Sequence, residues 1–533
     1  MAVMSPLADA NATASIDAEA AYRAIVARDA RFDGRLFVGV TSTGVYCRPI
    51  CRVRTPAARN CRFFATPAEA EAAAFRPCLK CRPEIAPGPG LAWSVIDASR
   101  TLARQAAEAL DRAAAAGEPP SVAAIAARLG VSDRHLRRIF AAEHGVTPLA
   151  WLQTRRLLLA KQLLTDTELP VATVAGASGF ASVRRFNAAF AAGYRMPPTR
   201  LRRGTRPAQP ARPRTSGPSP VPSVSVRLAF RPPYDADGLP AFIAPRAVPG
   251  VEAVHEGRVV RRSVRGAAIG APFDGWLEAE VNEAAAQVRL RFDAELAPWS
   301  GALIARVRRW LDLDASPDAI ASALADIPAA PGHGGVRLLG ALDPFELAVR
   351  AVLGQQVTVA AARTLARRVV EGFGTPIATP WQDVSLVFPS PPSIAPLAVD
   401  RIAELGIIRA RAGAILALAG AWPEIGPLVE RGGDPDALVA RLRMLPGIGP
   451  WTAQYIAMRA LGWPDAFPAN DIAALNAMRR LYAVDTWREA ERRAEAWRPW
   501  RGYALLRLWR SLALGDDAVA AWKNGPHATG RPA

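Results

Sequence analysis

The thiols are the first residues in this chain whose types and spacing could do chemistry. Among 533 residues there are five cysteines, and four fall in two close pairs, Cys47 with Cys51 and Cys78 with Cys81. Each pair can supply two sulfur ligands from one turn, and two such turns close a tetrahedral cage around zinc. On spacing alone the cluster fits a structural zinc site. Zinc also holds its sulfurs as thiolates at neutral pH, and the thiolate is the nucleophilic form. The same cage could therefore hold a nucleophilic sulfur. Cys61, between the pairs, reads as a small buried hydrophobe.

A second stretch, "LPGIGPWTAQYIA" (445–457), joins two helical patterns. Gly447 and Gly449 flank Ile448 and permit a tight turn with backbone N–H groups exposed, and Pro450 suits the first turn of the following helix. Such a turn at a helix N-terminus can hold a DNA phosphate without reading sequence. A third pattern occurs twice. "VAAIAARLGVSDRHLRRIF" has an apolar helix, a turn at Gly130 and an N-cap at Ser132 opening a basic helix. About fifty residues on, "VATVAGASGFASVRRFNAAF" repeats the plan from Ser182.

The elements that must position these residues fall into several units, since a chain this long exceeds one core. Half the residues are hydrophobic, and the formal net charge is +18. That charge points to a polyanionic partner or to a GC-rich coding sequence. Asp9, Asp17 and Glu19 precede the first basic residue, Arg23, so no secretory signal is expected, and prolines interrupt the longest charge-free runs. The expectation is a cytoplasmic, nucleoid-associated protein with no membrane partner. "GRLFVGVT" alternates as a strand and "TPAEAEAAAF" as a short helix, whereas 92–203 reads as helical throughout. Residues 204–225 carry six prolines and no acidic residue, which reads as a stiff basic linker. Strand-like pieces follow ("VRLAFR", "VVRRSVRG", "VRLRF"), then helices from about 343. Twelve of the fourteen tryptophans lie beyond residue 270, so the two halves differ in chemistry.

Three resemblances sharpen this reading. "RDARFDGRLFVGVTSTGVYCRPIC", "NCRFF" and "FRPCLKCRPE" closely resemble the N-terminal domain of the Ada adaptive-response regulators over residues 20–86. In that family one zinc-bound thiolate takes a methyl group irreversibly from a DNA methylphosphotriester. The resemblance makes Cys47, the first cysteine of CRPxC, the acceptor, and Cys47, Cys51, Cys78 and Cys81 the ligands of one zinc. An alanine stands before Phe75 where the family usually has glycine. Residues 94–203 resemble the AraC-type DNA-binding region, whose groove-facing positions fall on Arg134, His135, Arg138, Arg184, Arg185 and Asn187. Those residue types reach base edges or phosphates. RNA polymerase is the further partner implied.

Residues 226–515 resemble the AlkA-type 3-methyladenine glycosylases of the helix-hairpin-helix superfamily. The resemblance makes Asp471, at the end of "FPAND", the catalytic carboxylate and lines a base pocket with Trp451, Tyr455, Trp509 and Phe242. Electron-rich rings suit a cationic alkylpurine. Gln356 stands where an AlkA-type leucine inserts beside the extruded nucleotide. Gly447, Ile448 and Gly449 would meet the phosphate, with a place for a monovalent cation at the hairpin. Lyase members carry a lysine where Trp451 stands, so a monofunctional glycosylase is expected. No cysteine follows Cys81, so no iron–sulfur cluster is expected.

The expected fold is multidomain and mainly α with α+β parts. It comprises a disordered tail (1–15), a zinc-bound α+β methyl-acceptor domain (16–88), two all-α helix-turn-helix units (92–203) and the linker. An α+β sheet domain (226–337), an all-α glycosylase domain (338–524) and a tail (525–533) complete it. The expected function is repair of alkylated double-stranded DNA joined to transcriptional activation. Two alternatives stay open: a regulator whose glycosylase half is inactive, and a glycosylase whose zinc domain is purely structural.

Overall fold

In the first unit the alternating apolar run becomes β1 (Phe37–Val40), flanked by β2 (Val45–Cys47) and β3 (Cys61–Phe64). A short β4 (Arg76–Pro77) completes a sheet of order β3-β1-β2-β4. The computed structural model describes residues 16–88, 98–116, 121–205, 221–268, 271–328, 335–430 and 432–523. The two expected tails and the middle of the expected linker lie outside them. Of that linker's ends, 204–205 belong to the helix Pro198–Thr205 and 223–225 to a strand. The short helix Pro67–Ala72 is capped by Thr66, whose hydroxyl accepts from the Glu69 N–H at 3.1 Å. Ala74, the residue before Phe75, holds φ at +67°. This is the left-handed region where glycine is at ease and alanine is strained by about 1 kcal/mol.

Both helix-turn-helix units form as read. Val122–Arg128 and Asp133–His144 meet at Gly130 (φ +71°), and Ser132 Oγ accepts from the His135 N–H. Val171–Ala177 and Val183–Tyr194 meet at Gly179 (φ +75°), with Ser182 accepting from Arg185. The long helices Ala98–Ala116 and Pro148–Asp166 tie the units together.

A second sheet follows, antiparallel throughout, in the order β5-β9-β8-β7-β6. Its strands are β5 (Ser223–Ala229), β6 (Glu252–His255), β7 (Val259–Ala268), β8 (Ala271–Asn282) and β9 (Gln287–Asp293). The buried face of β5 and β9 shares one core with the second helix-turn-helix unit. Val226, Leu290 and Phe292 belong to the same cluster as Leu157, Phe186 and Phe190. Two helices, Ser300–Trp310 and Pro317–Ala323, come earlier than the expected start near 343. A Cβ on Gly301 would sit 2.7 Å from the Ala115 carbonyl oxygen, so this helix packs directly on the regulator half.

Arg231 pins the halves together. It is 1% exposed and donates to the carbonyls of Asp33 (2.9 Å), Asp314 (2.9 Å), Ala315 (3.1 Å) and Gly88. An Arg231→Met variant keeps the stem but leaves four carbonyls without this donor. Each buried loss costs about 1–3 kcal/mol before relaxation. The expected result is a fall in unfolding free energy of about 3 kcal/mol, read by chemical denaturation. A change below about 1 kcal/mol would mean the contact carries no stability.

The remaining helices, from Pro344–Leu353 onward, build two further clusters. One of them draws Ile320 and Leu324 from the segment expected to be sheet domain alone. The helix Arg409–Glu430 is long and apolar enough to cross a membrane by length and composition. Ile415, Leu418 and Ile425 of that helix are buried within the first of the two clusters.

Candidate active site and metal centre

The parallel pairing of β2 with β4 sets Tyr46 opposite Pro77, and the Cys78 N–H donates to the Tyr46 carbonyl at 2.9 Å. Cys47 and Cys78 are therefore neighbours at one end of the sheet, and the turns after them bring in Cys51 and Cys81. All four sulfurs lie within 4.8 Å of one another. Zn–S bonds of about 2.3 Å in a tetrahedron put sulfurs about 3.8 Å apart, so the donor set fits zinc. Three of the cysteines are buried and Cys81 is half-buried. Hydrogen bonding with Cys51 pushes Cys47 up, and with Cys47 pushes Cys81 up. Hydrogen bonds from Cys47 draw Cys78 down and Cys51 down to about 7. Sulfurs this close cannot all ionise unaided, and a divalent cation is what lets four thiolates coexist. Backbone N–H groups of Arg48 and Lys80 point at Cys81 and Cys78 sulfur, both at 3.4 Å. Cys61 is half-buried at the start of β3 rather than buried, with its thiol 3.4 Å from the Ala57 carbonyl.

In the second half, the helices Pro435–Arg443 and Pro450–Leu461 flank the hairpin. Gly447 holds φ at +78°, and a Cβ there would meet the Ala414 Cβ at 2.8 Å. Gly449 has extended dihedrals, open space around its Cβ position and an exposed surface. Ile448, between the two glycines, is buried as a whole residue at 4% exposure. Gln356 lies exposed in the left-handed region at φ +52°. Its neighbour Gln355 donates to the Gly447 carbonyl at 2.9 Å and to Thr452 Oγ1 at 3.1 Å, and Arg411 donates to the Gln355 carbonyl. A corner with a left-handed residue is thus braced against the hairpin.

Asp471 is the N-cap of the helix Ile472–Tyr482 and is 5% exposed. Its Oδ1 accepts from the Ala474 N–H at 2.7 Å and from Trp509 Nε1–H at 3.0 Å. Its Oδ2 accepts from Trp451 Nε1–H at 2.8 Å. Within this shell every partner is a neutral donor, so the carboxylate is oriented without a neutralising cation. Trp451 and Tyr455 stack with centroids 5.1 Å apart and planes 7° apart. Phe242 and Trp509 line a cavity of about 190 Å³ with Leu339 and Leu506. Of the four expected pocket aromatics, Trp451 and Trp509 donate to Asp471, Tyr455 stacks on Trp451, and Phe242 and Trp509 line the cavity, whose lining does not include Trp451, Tyr455 or Asp471.

Arg246 and Arg459 are the residues sequence reasoning missed here. Their guanidinium carbons lie 4.1 Å and 4.8 Å from the Phe242 ring centroid, so that ring already stacks with cations. Arg459 also donates to the Tyr455 hydroxyl at 3.1 Å. Its place four residues after Tyr455, on the same helical face, was the available signal.

On the regulator half, Arg134, Arg138, Arg184, Arg185 and Asn187 are exposed on the second helix of each unit, and His135 is half-exposed. Arg138 lies 3.3 Å from His135 Nδ1. Both sets meet solvent as a groove-reading helix must.

Comparison with known proteins follows the same divisions. The metal binding domain of Ada matches residues 20–84, a helix-turn-helix domain 125–204 and the AlkA N-terminal domain 225–343. The HhH-GPD superfamily of base excision DNA repair proteins matches 349–502. A Mycobacterium tuberculosis protein named "Probable bifunctional transcriptional activator/DNA repair enzyme AlkA" is 38% identical over 514 residues, 95% of this chain and 98% of its own. DNA-3-methyladenine glycosylase 2 of Escherichia coli is 33% identical over 292 residues, 54% of this chain and 98% of its own. The Escherichia coli bifunctional transcriptional activator/DNA repair enzyme Ada is 34% identical over 147 residues, 28% of this chain and 38% of its own. Each half thus has its own relatives and one relative spans both: the chain belongs to the bifunctional AlkA/Ada family, in which an Ada metal-binding domain and a helix-turn-helix region precede an AlkA-type base-excision region.

Proposed function

We propose that this chain removes alkylated bases from double-stranded DNA as a monofunctional 3-methyladenine glycosylase, and that its Ada-type half accepts methyl groups from phosphotriesters at Cys47 and activates transcription. The observation that supports the enzymatic half best is Asp471, a carboxylate aimed by two indole N–H groups, one of them from Trp509, which also lines the cavity of about 190 Å³. A base is extruded into that cavity, and Asp471 faces the sugar, where positive charge develops as the glycosidic bond breaks. Trp451, Tyr455, Trp509 and Phe242 hold the base, Gln356 fills the gap it leaves, and the Gly447–Gly449 backbone takes a phosphate.

When bound, zinc keeps the four sulfurs ionised and lowers the cost of placing them together. Cys47 supplies the attacking sulfur, its electron pair forms the S–CH3 bond, and the phosphate oxygen leaves with the pair from the broken O–CH3 bond. Arg134, His135, Arg138, Arg184, Arg185 and Asn187 read promoter DNA, and RNA polymerase is the partner that activation requires. The hairpin carbonyls are the place for a monovalent cation between protein and phosphate. The setting is the cytoplasm, at the nucleoid.

Incubating the full chain with methylated duplex DNA, and following freed bases and protein-bound methyl separately, tests both halves. Both signals are expected, the first catalytic and the second stopping at one methyl per chain. Freed base without protein-bound methyl would leave the zinc domain structural. Methyl transfer without freed base would leave the glycosylase half inactive.

A further inference from the structure

The base cavity has a cationic end that the family-level reading does not use. Among its lining residues are Arg246, Arg337, Arg459 and Arg510, against one carboxylate, Asp235. Arg510 pairs with Asp235, and Arg337 donates to the carbonyls of Arg231 (2.6 Å) and Pro233 (2.7 Å). Arg459 is 6% exposed and donates to the Leu339 carbonyl and the Tyr455 hydroxyl. Arg246 donates to the Phe242 carbonyl at 3.0 Å. Among the described residues neither Arg246 nor Arg459 has a carboxylate partner, and their guanidinium carbons lie 4.1 Å and 4.8 Å from the Phe242 ring centroid. Trp509 bridges the two ends of the site, since its ring lines the cavity while its N–H holds Asp471.

We propose that Arg246 and Arg459 are catalytic residues acting on the departing base, the counterpart of Asp471 acting on the sugar. The proposal rests on the glycosylase reading and adds the charge balance of the step. The C1′–N bond breaks heterolytically: its electron pair goes to the base, and C1′ is left electron-poor beside Asp471. Water then adds its oxygen to C1′. From a cationic base the product is the neutral base, and the water's proton passes to solvent. From an uncharged base that proton ends on the base.

In both cases the base becomes more negative by one charge as the bond breaks. Guanidinium stays protonated throughout, so it supplies field and N–H donors rather than a proton. Next to Arg246 and Arg459, a cationic base loses repulsion on the way to the transition state, and an uncharged base gains attraction. Interactions stronger in the transition state than in the bound substrate are the ones that raise the rate. The two arginines therefore raise the rate for both classes, by different routes.

The routes leave different kinetic signatures. An uncharged base is bound without penalty, so removing a guanidinium lowers the maximal rate and leaves half-saturation unchanged. A cationic base is repelled in the bound state, so the same change lowers maximal rate and half-saturation together, and their ratio hardly moves.

The experiment is single-turnover excision by the full chain from duplexes carrying hypoxanthine (uncharged) or 7-methylguanine (cationic). Wild type is compared with Arg246→Gln, Arg459→Gln and Arg459→Lys. On hypoxanthine each Gln variant is expected to lower the maximal rate about tenfold or more, with half-saturation unchanged, and Arg459→Lys to recover most of it. On 7-methylguanine, rate and half-saturation should fall together. Maximal rates on hypoxanthine within about twofold of wild type in both Gln variants would overturn the proposal. So would an Arg459→Lys loss equal to that of Arg459→Gln at unchanged melting temperature, which marks a packing role. If base release depends on Asp471 yet ignores the arginines, this proposal alone falls. If wild type frees neither base, the glycosylase reading falls with it.

Discussion

Asp471→Asn is expected to slow base release by about 10²–10³-fold or more, because one preorganised charge at the reacting centre is worth about 3 kcal/mol or more. The structure makes this substitution sharper than a simple loss of charge. Asp471 is also a helix cap, and asparagine caps nearly as well through its remaining oxygen. If that oxygen stays where Ala474 and Trp509 donate, the new amide N–H2 faces the Trp451 indole N–H, 2.8 Å away in the wild type. Two donors then confront each other at a buried site, which costs about 1–3 kcal/mol. The variant should therefore melt earlier but remain folded, and its affinity for undamaged duplex should stay within a few-fold. On the proposed contacts that affinity rests on the hairpin backbone and the basic surface, which the change leaves in place. Release within a few-fold of wild type, on protein shown to be folded, would reduce Asp471 to a cap. The expected melting shift reports the clash with Trp451, since a capping role alone predicts near-normal stability and near-normal rate.

The Asp471 shell also shows what could be read from the sequence and what could not. Proximity in sequence carried the reading where local rules apply. Ser132 and Ser182 cap the helices they were expected to open, Gly447 takes the positive φ its turn needs, and the two cysteine pairs meet because each spans one turn. Asp471 was legible through "FPAND", yet its two indole donors come from positions 20 residues before and 38 residues after it. Only the resemblance grouped them. β8 was not read as a strand although Leu277, Ala279 and Val281 alternate with Glu278 and Glu280 in "APFDGWLEAEVN", because two glutamates in five residues suit a helix equally well; it pairs on both sides with β7 and β9. The helices Ser300–Trp310 and Pro317–Ala323 were missed because the stretch was read as the tail of a sheet domain. The largest omission was the joint between the halves. The prolines of 204–225 suggested separate bodies, whereas the sheet shares its core with the second helix-turn-helix unit and Arg231 reaches the zinc domain. A buried arginine that donates to four carbonyls distant in sequence has no local signature. The arginines around Phe242 were hidden in the same way, because an arginine in a basic chain reads as surface charge until its burial is known.

Methyl transfer is expected to stop at one methyl per chain, found on Cys47 when the protein is digested and its peptides weighed after reaction with methylphosphotriester DNA. Cys47 closes β2, directly after Tyr46, whose hydroxyl donates to Glu71 at 3.1 Å. Glu71 in turn accepts from Thr154, on a helix of the DNA-binding region, at 2.7 Å, and burial pushes its carboxyl up to about 7. Cys47, the proposed acceptor, is thus one residue from a buried contact between the zinc domain and the DNA-binding region. Cys47→Ala should abolish the transfer completely. Cys51→Ala should lose zinc and unfold the domain, because structural zinc binding is coupled to folding. Methylation removes one negative charge from a site of about −2, and one charge at about 4 Å in water is worth about 1 kcal/mol. Affinity for an unmodified duplex should therefore rise about fivefold at low salt, and the gain should shrink as salt screens it. A methyl found mainly on Cys51, Cys78 or Cys81 would overturn the acceptor assignment. Equal affinity before and after methylation at low salt would leave Cys47 as a repair residue and remove the charge switch, so any signal to the promoter would have to travel through the Tyr46–Glu71–Thr154 contact instead.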